Sequence, residues 1–448
     1  MRIVVIGAVA SGTSAAAKAR RDAPDAEIVI YERDIHISYA SCAMPYYIGD
    51  VIKDGKSLAP RDEDHFKKVY DVDVLTAHEV TSIDPKEKKL VVKNLNSGVT
   101  FEDRYDKLVL AMGARAVLPP IEGADGNKVF VLRNISDMYG IKEFIQSNNP
   151  RKAAIIGTGF IGLELCESLK NLGMEVLMLE RLDQVTPGLD PDMADHVEKN
   201  LKKHGVTVIT GVSVVKIGED KVELADGRSL SADMFILAVG IRPNIEIARE
   251  AGVEIGPTGA IAVNSRLETN IEDIYACGDC MEQFHVVTGK PVFRPLGTTA
   301  NKTGRIVGEN LAGGKSEFRG VLGTGIFRIF DMTVALTGLS ERDAIKEGYD
   351  VVTCDNRKLS KTEYMGGKTM IIKGIADRKT GRLLGAQIVG EDGVDKRIDV
   401  FATAITFGAK VEDLIHLDLA YSPPYSITKD PVMYTGMILE NKIKEGRP

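Results

Sequence analysis

The sequence predicts an α/β fold in which one strand, glycine-turn, helix unit occurs twice and a smaller α+β region follows. Three observations carry this expectation. "RIVVIGAVASGTSAAAKAR" opens the chain as an apolar run, a glycine turn and an Ala-rich helix, and "EIVIYE" supplies the next strand. "KAAIIGTGFIGLELCESLKNLG", followed by "EVLMLE", repeats that plan from Lys152. The last third, from about residue 326, turns to strands and then helices, with "TMIIKGIADRKTGRLLGAQIVG" and "DVFATAITFGA" as their clearest runs.

The physics of the repeated unit explains its residues. Glycines let the turn tighten and let backbone amides approach a pyrophosphate at the helix N-terminus, and an acid closing the second strand binds ribose hydroxyls. The second copy is complete, with Gly157, Gly159 and Gly162 in the turn and Glu180 at the end of its second strand. The first copy has Gly7 and Gly12, but Val9 stands where the middle glycine belongs, and Glu32 closes its second strand. Two Rossmann-like dinucleotide-binding domains are therefore expected.

Composition narrows the function classes. At 448 residues, the chain can bury several cores. It is 44% hydrophobic and 27% charged, with a net charge of −7 that argues against a nucleic-acid or polybasic membrane role. The apolar start reaches only Ile6 before the glycine turn, so it reads as a strand rather than a signal peptide. No stretch approaches the roughly 18 apolar residues of a spanning helix, and a cytoplasmic protein is expected. Five cysteines, at 42, 166, 277, 280 and 354, are too few and scattered for a disulfide scaffold.

Further segments fix what the two units hold. "IEDIYACGDCME" places Asp279 after a short strand, while "YDKLVLAMGARAVLPP" and "ADMFILAVGIRPN" read as the chain leaving and re-entering the first unit. With the two glycine turns, these segments resemble the flavin-dependent pyridine nucleotide–disulfide oxidoreductases over essentially the whole chain. The likeness is greatest to the single-cysteine branch, which holds coenzyme A-disulfide reductases, persulfide reductases and NADH oxidases or peroxidases. The resemblance implies an FAD domain at 1–115 and 241–325, an inserted NAD(P) domain at 116–240 and a dimerisation domain at 326–448. It implies FAD contacts at Gly7, Gly12, Glu32, Arg33, Val80, Gly113 and Asp279. For NADH, with NADPH possible, it implies Gly157, Gly159, Gly162, Glu164 and Glu180. The Glu180 carboxylate should repel a 2′-phosphate, although Arg181 beside it leaves room for NADPH.

The redox position is Cys42, in "SYASCAMPYYIGD". Two-cysteine relatives carry a CxxxxC pair, but five residues past Cys42 stands Tyr47. The resemblance thus implies a lone redox sulfur rather than an internal disulfide. Cys166 falls on the second unit's helix and is expected in the core. Cys277 and Cys280 have the CxxC spacing of a dithiol or half a zinc site, yet no second pair completes a metal site and their aspartate belongs to the FAD motif. The seven histidines show no HExxH or close pairing, and no metal is expected.

Substrate follows from smaller signals. Oxidase and peroxidase relatives carry a histidine in the first glycine turn, where this chain has Ala10. "GAVASG" and the "ARR" of the first helix resemble the coenzyme A-disulfide reductases, which implies coenzyme A contacts at Arg21, Ser38, Tyr39, Asn301 and Arg305. Lys18 and Arg20 are plausible additions, against the blander reading of a solvated basic face. Ser41 stands where relatives often have Asn, and "LSKTEYMGG" has only Tyr364 where relatives show a tyrosine pair. "YSPPYSITKDPV" resembles the loop that a partner subunit places over the redox cysteine, so that Tyr425, with Tyr364, would donate a proton to a leaving thiolate.

The expected activity is NAD(P)H-dependent reduction of coenzyme A disulfide or persulfide by a homodimer. Alternatives are an oxidase cycling Cys42 through sulfenic acid, an electron-transfer reductase for a carrier protein, and a redox-sensing FAD protein. Relatives with a C-terminal rhodanese domain suggest that any sulfur-transfer partner is a separate chain.

Overall fold

The computed structural model describes residues 1–446. The last two positions expected in the dimerisation domain, 447 and 448, lie outside the described residues. Apolar β-branched runs become strands buried on both faces, as parallel sheets require. In the first sheet the order is Ile274–Ala276, Lys107–Leu110, Arg2–Ile6, Glu27–Tyr31 and Asp73–Leu75, with every neighbour parallel. Ile3, Val4 and Val5 are fully buried at its centre.

Helix Ser11–Asp22 follows the first strand and packs closely on helix Gly297–Leu311. Gly304 and Gly308 permit that approach, since a Cβ at either would run into the Ser11 or Ala15 carbonyl. The second sheet repeats the plan in parallel, in the order Thr207–Ile209, Glu175–Leu179, Lys152–Ile156, Met234–Leu237 and Val129–Phe130. Each sheet is accompanied by a three-stranded antiparallel sheet, at residues 78–104 and 214–231.

The chain passes between the two parallel sheets along a short antiparallel pair, Ala114–Ala116 with Ile241–Pro243. The Val117 amide donates to the Gly240 carbonyl and the Asn244 amide to that of Gly113, so the outgoing and returning strands brace one another. Beyond residue 324 the sheet is antiparallel, in the order Gly325–Ile329, Met332–Gly338, Leu383–Gly390, Thr369–Asp377 and Val351–Leu359. Helices Val394–Thr406 and Pro431–Glu445 pack on it through Phe401, Ile405 and Leu439. Among the described residues, no helix is long and apolar enough to cross a membrane.

Candidate active site

Both glycine turns are built alike. Gly7 and Gly157 lie at φ +108° and +105°, and a Cβ on either would strike the backbone of Ala111 or Ala238 at the end of the neighbouring strand. Gly12 and Gly162 sit so close to the carbonyls of Gly7 and Gly157 that only hydrogen fits. Gly159 instead faces open space, which leaves room for a phosphate to reach the backbone. Helices Ser11–Asp22 and Phe160–Asn171 begin without a side-chain cap, leaving their first amides for an anion.

The two acids also match. Glu32 accepts from the Ala8 amide (2.7 Å) and the Asp34 amide (2.9 Å). Glu180 accepts from the Thr158 amide (3.0 Å) and hydroxyl (2.7 Å), and from the Leu182 amide (3.0 Å). Each carboxylate thus pins the residue after its first glycine, and a carboxylate's further lone pairs remain for ribose hydroxyls. Burial pushes the Glu32 carboxyl up, against the two amides that favour its charge.

Asp279 lies in a one-turn helix after strand Ile274–Ala276 and is ion-paired with Arg133 at 2.9 Å. Arg133 also donates to the Ala114 carbonyl (2.8 Å), beside Gly113 in its left-handed turn at φ +63°. No sequence signal singled out Arg133, which precedes an ordinary helix cap at Asn134. Arg33 is exposed beside Glu32, and Val80 is buried in strand His78–Asp84. Cys277 and Cys280 are fully buried free thiols. Burial pushes both up, Cys280 to about 12, which makes them poor nucleophiles. Cys166 is likewise buried and raised to about 12.

Cys42 is the exposed cysteine. It occupies the single turn Ser41–Ala43 that leads into helix Met44–Ile48. That short helix is held from three sides. The Ser168 hydroxyl donates to the Pro45 carbonyl (2.8 Å). Lys142, itself buried, reaches the Ile48 carbonyl and the Asp50 carboxylate, both at 2.9 Å. Finally, the Tyr46 hydroxyl donates to Glu164 Oε1 at 3.4 Å. Burial lifts the Glu164 carboxyl to about 7, despite the Tyr46 hydroxyl that favours its charge. Ser38, at φ +49°, ties the approach to the first glycine turn through its amide and the Ala8 carbonyl at 2.9 Å. Tyr39 is half-buried, and burial pushes its phenol up.

Three of the residues assigned to coenzyme A converge. Arg21, Asn301 and Arg305 line one cleft of about 160 Å³, together with Thr13, Ser14 and Arg61. Asn301 donates to the Ser14 hydroxyl at 3.0 Å. Among the described residues, none of the three arginines has an ion-pair partner within 4.0 Å, so their charge faces the cleft. Arg61, on a polar loop, was not anticipated. Ser38 and Tyr39 lie instead on the segment leading to Cys42, outside this lining. Lys18 and Arg20 drop out: Lys18 pairs with Asp22 (2.6 Å), and Arg20 is spent on the carbonyls of Tyr70, Asp71 and Pro24. Tyr364 and Tyr425 are 76% and 71% exposed on the C-terminal region, and neither hydroxyl has a hydrogen-bond partner among the described residues.

The pyridine nucleotide-disulphide oxidoreductase model matches residues 1–296, and that family's dimerisation domain matches residues 326–431. The chain belongs to this family. An NADH oxidase of Methanocaldococcus jannaschii is 38% identical over 437 residues, 96% of this chain and 97% of that protein. An NAD(P)H coenzyme A polysulfide/persulfide reductase of Pyrococcus horikoshii is 35% identical, over 98% of each chain. Among solved structures, an NAD-dependent persulfide reductase from A. fulgidus superposes at a TM-score of 0.97 with 41% identity, covering 99% of this chain and 84% of that one.

The protein is accordingly an NAD(P)H-dependent flavoprotein oxidoreductase, and its residues suit both nucleotides. Two glycine turns with uncapped helices, each with its pinned acid, match two dinucleotides, and the Asp279–Arg133 pair adds polar groups at the first.

Proposed function

We propose that this chain reduces coenzyme A disulfide or a coenzyme A persulfide with NAD(P)H, through Cys42 alone. The observation that carries the reading is that Cys42 is exposed while the other four cysteines are buried. An exposed thiol with no second cysteine suits exchange with a sulfur brought from outside. The names of the relatives support this chemistry, and the cleft, whose three arginines have no ion-pair partner among the described residues, suits the phosphates of coenzyme A.

A bound FAD would supply the relay by which the two electrons of one NAD(P)H reach the mixed disulfide that Cys42 forms. The Cys42 thiolate attacks one sulfur of the disulfide, the S–S bond breaks, and a Cys42–coenzyme A mixed disulfide forms. A tyrosine O–H, from Tyr425 or Tyr364, protonates the departing coenzyme A thiolate. Two electrons then cleave the mixed disulfide, releasing the second coenzyme A and returning Cys42 to thiolate. The net change is one disulfide, one NAD(P)H and one proton to two thiols and NAD(P)⁺.

We assign residues 1–115 and 241–325 to the FAD domain, 116–240 to the NAD(P) domain and the rest to a dimerisation domain that makes the protein a homodimer. Five free thiols suit a reducing compartment, and the cytoplasm is the proposed location.

An oxidase reading is favoured by the M. jannaschii relative. Against it, Ala10 offers no side-chain donor in the first glycine turn. Turnover under argon with coenzyme A disulfide, compared with NADH consumption in air, separates the two. The expected result is disulfide-dependent turnover that Cys42→Ser loses by about 100-fold or more, while reduction of the bound flavin by NADH survives. Consumption in air alone, with Cys42 as sulfenic acid, would favour the oxidase.

A further inference from the structure

Helix Val394–Thr406 carries Arg397, one of the largest side chains buried in the protein, at 1% exposure. From Nη2 it donates to the Ser360 carbonyl (2.7 Å), to Asp430 Oδ2 (2.9 Å) and to the Ser426 hydroxyl (3.2 Å). Nη1 donates to the Gly393 carbonyl at 3.1 Å. Ser426 Oγ also lies 2.7 Å from Asp430 Oδ2, to which it donates. Burial works against ionised Asp430, yet the guanidinium and the Ser426 hydroxyl hold its carboxyl below the usual range.

Apart from Gly393, which caps Arg397's own helix, the partners of this guanidinium belong to two separate segments. Ser360 opens the loop between strands Val351–Leu359 and Thr369–Asp377, and Tyr364 stands on that loop. Ser426 and Asp430 belong to the segment entering helix Pro431–Glu445, on which Tyr425 stands. A second tie joins the same segments nearer the surface, where the Thr362 hydroxyl donates to the Pro423 carbonyl at 3.3 Å. Both tyrosines are exposed and make no side-chain hydrogen bond of their own among the described residues, so their placement comes from these ties.

We propose that Arg397 is a positioning residue for the reaction: its buried fork locks the Tyr364 and Tyr425 loops into one unit, presenting the two phenols as a pre-set pair. The chemistry requires arginine. Only a planar fork with several N–H groups in fixed directions can reach a carbonyl, a hydroxyl and a carboxylate at once. A lysine keeps the charge and loses the geometry. Two loops ordered in advance spare the ordering cost that each would otherwise add when substrate arrives. The inference rests on the reading of Tyr425 as proton donor to the leaving thiolate.

The test uses the FAD-loaded dimer and reads the two halves of the cycle separately: flavin reduction by NADH, and single-turnover release of coenzyme A thiol from coenzyme A disulfide. Arg397→Lys should slow thiol release about tenfold and leave flavin reduction unchanged, since the displaced phenols act only in the second half. In the double variant with Tyr425→Phe, the two losses should fall short of multiplying, because Arg397 acts in part through that phenol. An intact Arg397→Lys dimer with normal thiol release, or a double variant whose losses multiply, overturns the proposal. If Arg397→Lys does not assemble, Ser426→Ala is measured in the same way, with a smaller loss of about threefold expected and unchanged release as the refuting result. Normal release in Tyr425→Phe would instead overturn the proton-donor reading itself.

Discussion

The Tyr46 hydroxyl donates to the Glu164 carboxylate across 3.4 Å, joining the helix that follows Cys42 to the helix that follows the second glycine turn. Burial lifts this carboxyl to about 7 from an ordinary value of 4.5. Between those values the folded chain holds a proton that the unfolded chain has released. Stability from this group is therefore fully present below about pH 4.5 and is lost as pH rises through about 7. Glu164→Gln, uncharged throughout, should match the wild type near pH 4 and be more stable near pH 8 by about 1–3 kcal/mol. Unfolding midpoints of both proteins at the two pH values check this, and parallel curves would refute it.

The arginine cleft gives a binding prediction. Among the described residues Arg61 and Arg305 have no ion-pair partner, and each lines the cleft with Arg21. Arg61→Met or Arg305→Met should raise KM for coenzyme A disulfide about tenfold, close to 1.4 kcal/mol, with kcat within about twofold. NADH consumption in air should not change. Steady-state kinetics with the two acceptors decide, and an equal loss with oxygen would detach the cleft from coenzyme A.

Glu180 combines two duties that a variant can separate. It pins Thr158 through the amide and hydroxyl, and in the proposed nucleotide site its charge would oppose a 2′-phosphate. Glu180→Ala should raise KM for NADH about tenfold while moving preference toward NADPH, with exposed Arg181 alongside. Measuring kcat/KM with each nucleotide tests this. Equal losses for both would leave Glu180 with the turn alone.

What the sequence made legible follows from physics that is local in the chain. Gly7, Gly12, Gly157 and Gly162 could be read because a turn needing φ > 0, or a carbonyl at Cβ distance, leaves no other residue type. Glu32 and Glu180 could be read from their spacing. Arg133 could not, since its partner Asp279 lies 146 residues away and nothing beside it marks the encounter. The same holds for Tyr46 and Glu164, 118 residues apart. Lys18, Arg20 and Arg21 look alike in sequence, yet only Arg21 faces the cleft. What separates them is a set of carbonyls around Tyr70 that the fold brings to Arg20. Arg397 would pass for a solvated charge on an amphipathic helix until both of its loops are in place.

Lys373 offers the sharpest stability prediction, because it stands where the C-terminal sheet meets the second nucleotide unit. Its amine is buried and lies 2.6 Å from Glu341, 2.9 Å from Asp192 and 3.4 Å from Asp190. Asp190 is 1% exposed, and it also takes the Gln387 amide (2.9 Å) and the Glu341 backbone amide (3.0 Å). Lys373→Met would keep most of the side-chain volume but leave three carboxylates facing one another without a cation. The expected cost is about 2–4 kcal/mol, since buried Asp190 would lose its cation, while Asp192 (59% exposed) and Glu341 (37% exposed) are screened by solvent. Lys444→Ala, which breaks the exposed Lys444–Glu440 pair of the last helix, should cost only about 0.3–0.5 kcal/mol. Thermal unfolding of the FAD-loaded dimers compares the two directly. Similar losses in both would mean that the Lys373 amine is hydrated in solution and that the contact between sheet and nucleotide unit is held by its apolar packing.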